Sequence, residues 1–239
     1  MFLQGVDMEL LEAKISISNL EAIDKKTIKE LFDLYFREIQ TIMTNLEICK
    51  SLQSESAESI IYYHPYFCDN CYHSALTIIS LTIMNLIDRK SKRKGVKGLL
   101  DLLEKRIDSV DFECIYLSDS NQVFSYKGSE AFQLFLSVWD GKIVEISKDK
   151  AADKIKNLRS RLYAHKDACY TPEMAKEDSF NYGEIKEIVK KILILVQDIH
   201  VAIFGKSRSN VINAKATYDF NGLVGVFKKH YAIPKKNNK

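Results

Sequence analysis

Lys25–Leu52, KKTIKELFDLYFREIQTIMTNLEICKSL, decides the fold class. Ile28, Leu31, Phe32, Tyr35, Ile39, Ile42, Leu46 and Cys49 recur at i, i+3, i+4, i+7, i+11, i+14, i+18 and i+21, one continuous apolar stripe at helical spacing. Such a stripe predicts a long amphipathic helix that has to bury one side against other elements. Residues 183–204 repeat the pattern with Ile185, Ile188, Val189, Ile192, Val196, Ile199 and Ile203. Asn181, followed three places later by Glu184, predicts a capped start for that second helix. A third helix is expected over 149–165, with Ile155, Leu158 and Leu162 on its inward side.

Residues 70–87 contain no Asp, Glu, Lys or Arg, which raises a membrane span. His73, Ser74, Thr77, Ser80, Thr82 and Asn85 interrupt the run too often, and a central buried helix over about 70–88 is the expectation instead. Four long helices predict an all-α fold, a four-long-helix bundle with additional short helices over 97–107 and 129–143. Phe112–Tyr126 reads as a short strand pair or an irregular loop. The pattern weakens beyond Lys206. Residues 218–231 could form one more helix and 234–239 look frayed, so the expected organisation is a helical bundle over 1–205 and a basic, partly helical extension over 206–239.

The 239-residue chain is 46% hydrophobic and 28% charged, which excludes disordered and fibrous classes for its bulk. Three prolines and nine glycines favour helices over a turn-rich β architecture. Five cysteines, an odd number, come without a basic start and apolar run at the N-terminus, so the expected setting is cytoplasmic and reducing. The net charge of +3 is unevenly spread. Arg89, Lys90, Lys92, Arg93, Lys94 and Lys97 follow one another without an acid, and the last thirty-five residues carry eight Lys and Arg against Asp219 alone. Clusters of this kind suit a polyanion partner; a solvated loop and a solubilising tail produce them as well.

Chemistry concentrates in Leu158–Asp167, LRSRLYAHKD. Arginine clamps phosphate with a fixed positive fork, and histidine moves protons near neutral pH. With Leu158 set at zero on a helical wheel, Leu162 lies near +40°, Ile155 near +60°, Arg159 near +100° and His165 near −20°, at about 100° per residue. Arg159 is then expected at one edge of the buried face, about 120° around the helix and about 9 Å along it from His165. A phosphodiester between the two could be reached by both. Arg161 sits four residues before His165 and would favour the neutral imidazole, whereas Asp167 would orient the ring and raise its pKa. The competing structural reading is a histidine serving the last helical carbonyls beside a solvated arginine.

His64-Pro65-Tyr66-Phe67-Cys68-Asp69-Asn70-Cys71-Tyr72-His73 places four metal-capable side chains in ten residues, enough in principle for a tetrahedral zinc site. Structural zinc sites usually split their ligands into separated pairs, and this run leads straight into a helix. Packing at the helix start is therefore preferred and no metal is expected. Gly95-Val96-Lys97-Gly98 lacks the length and the strand of a phosphate-binding loop. No Gly-x-Ser-x-Gly elbow occurs, and Trp139 and the tyrosines show the spacing of core and interface residues.

The stretch LRSRLYAHKD resembles the HEPN superfamily motif, in which an arginine, a polar residue and a short gap precede a histidine. Its surroundings are similar to the phage abortive-infection, AbiU-type branch: a low-charge helix ending Leu86-Ile87-Asp88-Arg89, a basic loop, then Gly98-Leu99-Leu100-Asp101-Leu102-Leu103. The likeness spans roughly residues 25–204. It implies an all-α bundle that dimerises and brings two Arg–His elements into one cleft, and an activity of metal-independent RNA cleavage without a cofactor. Other members bind RNA or nucleotides without cleaving.

By position, Arg159 would stabilise the phosphate and His165 would act as acid and base. Ser160 holds the polar position, where members more often carry Asn, Asp or His; Arg161, Tyr163 and Asp167 are supporting candidates. Arg89, Lys90, Lys92, Arg93 and Lys94 are the expected RNA-backbone contacts. The expected partners are RNA, a second copy of the chain and, for a toxin-like effector, an antitoxin protein. The alternative is a non-catalytic RNA, nucleotide or protein-interaction module on the same fold.

Overall fold

The computed structural model describes residues 8–54, 57–87, 95–118, 122–160 and 182–208, which are mostly helical. The chain divides into two compact units. The first comprises the described parts of Met1–Phe36, Asn85–Asp149 and Lys190–Ser209, the second those of Arg37–Met84 and Lys150–Val189.

Helix α1 (Ala22–Leu52) contributes its first half to the first unit and its second half to the second. All eight residues of the stripe, from Ile28 to Cys49, are buried, as the spacing predicts. Each fully buried Ile, Leu or Phe contributes about 1.5–3 kcal/mol, so the stripe rather than local propensity holds this helix.

In the first unit, β1 (Met8–Ser16), β2 (Asp111–Ser118) and β3 (Val123–Lys127) form an antiparallel sheet in that order. Residues 112–126 thus resolve as a strand pair. The third strand, β1, is not foreshadowed by the sequence pattern: its register shifts between Leu10 and Glu12, which breaks the alternation that marks a strand. Ile15 lies opposite Phe112, and Ala13 opposite Cys114. Gly128, at a φ of 97°, turns the chain from β3 into α5 (Ser129–Ser147) in one step, a conformation that only glycine adopts without strain. Helix α5 runs four residues past its expected end because Ile143 and Ile146 continue the buried stripe begun by Phe132, Phe135, Leu136 and Trp139. It packs on the sheet through Phe132 and Phe135, whose rings lie 5.3 and 5.4 Å from Phe112.

Helix α4 (Val96–Lys105) buries Val96, Leu99, Leu100 and Leu103 and is followed by a 3-10 turn at Ile107–Ser109. Two polar contacts in this unit each involve a buried side chain. The Tyr35 phenol donates to the Gly95 carbonyl at 2.8 Å, and burial pushes its pKa well above the usual phenolic range. The buried Asp24 carboxylate accepts from Arg106 Nε at 2.8 Å.

In the second unit, α2 (Glu58–Tyr63) leads into α3 (Pro65–Ile87). Pro65 occupies the first helical position, where its missing N–H costs nothing. Leu52, Ala57, Ile60 and Cys68 form a local core, with Ile48, Cys71 and Tyr72 packed against it. The expectation of a central buried helix holds for only one side of α3. Ala75, Ile79, Ile83 and Met84 are buried, whereas Phe67, Ile78 and Leu81 are exposed. Among the described residues no helix is long and apolar enough to cross a membrane.

The remaining helices are α6 (Lys150–Leu158) and α7 (Tyr182–Phe204). On α7, Ile185, Ile188, Val189, Ile192, Val196 and Ile199 are buried as expected; Ile203 is half-buried. The expected Asn181 cap, the helix over 218–231 and the continuation of the 149–165 helix beyond Ser160 lie outside the described residues.

Candidate functional site

Helix α6 carries Arg159 to its position. Ala151, Ala152 and Ile155 are buried, while Asp153 and Lys156 are not. On the wheel that has Leu158 at zero, the buried three fall near +20°, +120° and +60°, at about 100° per residue. Arg159, near +100° on that wheel, lies toward the outer side of this arc and is not fully buried. The two alanines extend the buried face past the large apolar residues that the periodicity registers. Arg159 is half-buried and Ser160 is exposed, and both continue the helix in π-type geometry beyond Leu158. Geometry of this kind re-aims side chains and recurs at functional sites.

Polar contacts tie the helix ends of this unit together. Lys154 on α6 pairs with Glu184 on α7 at 3.0 Å. The Tyr182 hydroxyl donates to Glu47 of α1 at 2.8 Å, with the Lys50 ammonium 5.5 Å and the Lys186 ammonium 5.9 Å from its ring centre. Burial and the Glu47 carboxylate push the Tyr182 pKa up to about 12. It is a structural phenol that stays protonated, and it fixes the first turn of α7 against α1.

His165, Arg161, Tyr163 and Asp167 lie outside the described residues, as do Arg89, Lys90, Lys92, Arg93 and Lys94. Lys97, the last cation of the basic run, is described, and it is spoken for. Its ammonium lies 3.1 Å from Asp101 and 3.3 Å from Asp140. Burial works against its charge, but the two carboxylates outweigh it and hold its pKa above the ordinary value. Lys97 therefore belongs to an internal ion cluster and adds little to a polyanion surface.

The His64–His73 run is used for packing. Cys68 is buried in the local core and Cys71 packs on it. The His64 carbonyl accepts from the Cys68 N–H at 3.1 Å, and His73 stands beside Asp69 at 3.4 Å, one helical turn away. Among the described residues no three His, Cys, Asp or Glu side chains group as a metal site.

One centre is hidden from sequence reasoning. His200 sits in the apolar pattern of α7, where it reads as one more core position. It is buried among Phe32, Phe36 and Phe204, at ring separations of 5.0, 5.4 and 4.7 Å. The signal that could have found it is the only histidine in a long helical stripe with two cations, Lys206 and Arg208, just beyond the helix end.

The family model HEPN_AbiU2, described as AbiU2, matches residues 24–214 of the 239. No curated protein matches the chain. No solved structure matches it either. The matched span takes in α1, the basic run, α6 with Arg159, and α7, so well over half the sequence follows the family's pattern. The chain belongs to the AbiU2 family of HEPN proteins, a group of abortive-infection type.

Proposed function

We propose that this chain is a metal-independent endoribonuclease of HEPN type, acting in phage defence or as a toxin-like effector. The observation that carries the reading is Arg159, half-buried toward the outer side of the buried arc of α6 in π-type geometry, six residues before His165 in a HEPN_AbiU2 sequence. In the proposed reaction His165 takes the proton of a ribose 2′-hydroxyl. The 2′-oxygen attacks the adjacent phosphorus, and the bond to the 5′-oxygen breaks with a proton returned to it. Arg159 offsets charge gathering on the phosphoryl oxygens. The products are a 2′,3′-cyclic phosphate and a 5′-hydroxyl.

One histidine serves both proton transfers, or two copies share them across a homodimer. The exposed Phe67, Ile78 and Leu81, on a side of α3 without a charged residue, support self-association. Arg89, Lys90, Lys92, Arg93 and Lys94, with the basic extension over 206–239 beyond a helical bundle over 1–205, hold the RNA backbone by salt-sensitive contacts. A cytoplasmic setting and an antitoxin partner complete this reading.

The test is incubation of purified protein with RNA in excess chelator. Cleavage that survives chelation and is lost in His165→Ala is the expected result; equal cleavage by both proteins ends the proposal. The exposed Ser160, at a position where the motif more often carries Asn, Asp or His, favours a second reading: an RNA-binding module without cleavage. Salt-dependent RNA binding by both proteins, with no cleavage by either, selects it.

A further inference from the structure

We propose that the open edge of β1 pairs with the same edge of a second copy of this chain, joining two three-stranded sheets into one of six strands. The strand order β1-β2-β3 leaves β1 with a neighbour on one side only among the described residues. Such an edge presents a row of N–H and C=O groups that templates another strand. Strand β1 belongs to the first unit, whereas Arg159 and the exposed Phe67, Ile78 and Leu81 of α3 belong to the second. The contact is therefore additional to any that α3 makes.

The existing ladder fixes which backbone groups face outward. The Phe112 carbonyl accepts from the Gly128 N–H at 3.2 Å, so the backbone of Phe112 points toward β3 and not toward β1. Ile15, which lies opposite Phe112, then turns its own N–H and C=O to the open side. Ala13, two residues earlier, does the same. The side chains divide differently. Ile15 is buried and Ala13 half-buried on the face turned to the core, while Glu12 and Lys14 stand exposed on the other.

With a two-fold axis centred on Ala13, the strand is its own complement. Ala13 faces Ala13 of the second copy, and the two exchange both backbone hydrogen bonds. Glu12 faces Lys14 of the second copy and Lys14 faces its Glu12, at the flanking pairs where no bonds are exchanged and side chains approach most closely. Glu12 and Lys14 already pair within one strand at 3.0 Å, so the four charges close into an alternating ring. An axis at Lys14 would set that lysine against its own copy, and a slip of one residue would set the apolar side of one strand beside the charged side of the other. Strand β3, the opposite edge, has no such pattern: its single charge, Lys127, pairs with Glu113 at 2.9 Å. The register shift between Leu10 and Glu12 keeps the regular part of the ladder short, so the contact is reversible and not a permanent interface.

The test is sedimentation velocity of the full, RNA-free chain over a concentration series, with Glu12→Lys and Lys14→Glu measured alone and mixed. The wild type should gain mass as concentration rises. Each variant alone sets like charges against each other at both flanking pairs and should associate about tenfold or more weakly. An equimolar mixture of the two should recover the association, because the strands that meet are then oppositely charged. Local damage to the sheet cannot produce that recovery. Ala13→Pro removes the N–H on the open side and spares the pairing with β2, and it should abolish the gain in mass. A wild type of constant mass, variants that associate as the wild type does, or a mixture no heavier than its components overturns the proposal. An edge already covered by another part of the chain gives the first of these results. The readout is mass without cleavage, so its failure leaves the Arg159–His165 reading untouched.

Discussion

The end of α6 and the end of α7 each gather cationic and aromatic or imidazole chemistry, and they become visible by opposite routes. The α6 end announces itself in the sequence, because arginine, polar residue and histidine stand at a spacing that reads as chemistry on its own. Its arginine is half-buried where the helix widens, with no large ring among its described neighbours on α6. The α7 end is silent in the sequence, since a histidine at core spacing looks like a core residue. There the fold supplies the constellation, by bringing Phe32, Lys29 and Asp33 of α1 against His200, Phe204 and Arg208. Spacing along a chain exposes a local motif; packing across elements builds sites that no short window contains.

Stability separates the two ends most sharply. Phe32 is 1% exposed and touches Tyr35, Phe36, His200 and Phe204. Phe32→Ala is expected to cost about 3–5 kcal/mol in urea denaturation, while Arg159→Ala should cost less than about 1 kcal/mol. Similar losses for both would erase the distinction between a packed centre and an open one. Next in size is Arg106→Ala, which strands the buried Asp24 carboxylate and should cost about 1–3 kcal/mol. It serves as a control for a part-buried ion pair away from both ends.

A smaller effect is pH-dependent. Burial, with Arg208 and Lys206 nearby, holds the His200 pKa below its ordinary 6.5, against the raising influence of the Lys206 carbonyl and Asp33. The unfolded chain therefore takes up the proton first as pH falls. The stability due to a neutral His200 is complete above about 6.5 and is lost as pH drops through the lower folded value. Denaturation midpoints measured from pH 7 to pH 5 should fall, and His200→Gln should flatten that slope. An unchanged slope would place the histidine in water. Smallest of all, Lys26→Ala should change stability by no more than about 0.5 kcal/mol, because its 3.8 Å pair with Glu30 is solvent-exposed.

Much of this molecule is written in its apolar periodicities. The eight-residue stripe of α1 and six of the seven positions on α7 are buried as their spacing dictates, and of the two readings open for Phe112–Tyr126, strand pair or irregular loop, the strand pair is the one found. Two features are illegible for physical reasons. Strand β1 carries a register shift that scrambles its alternation, so only its pairing with β2 defines it. Helix α3 lacks charges along most of its length, and in a sequence the absence of charge is indistinguishable from burial. Phe67, Ile78 and Leu81 show that an apolar helix side can face outward, a choice set by what surrounds it and not by its own residues. Arg159 is legible as a residue, but the width of the buried arc beside it depends on two alanines too small to register in the pattern.

The central claim is that Arg159 and His165 cleave RNA through the ribose 2′-oxygen, and the chemistry of the product ends tests it most directly. RNA incubated with the wild-type chain in chelator should yield fragments ending in 2′,3′-cyclic phosphate and beginning with 5′-hydroxyl, with the rate falling about 100-fold or more in Arg159→Ala and His165→Ala. Fragments with 3′-hydroxyl and 5′-phosphate ends, or the same ends at the same rate from either variant, would contradict it.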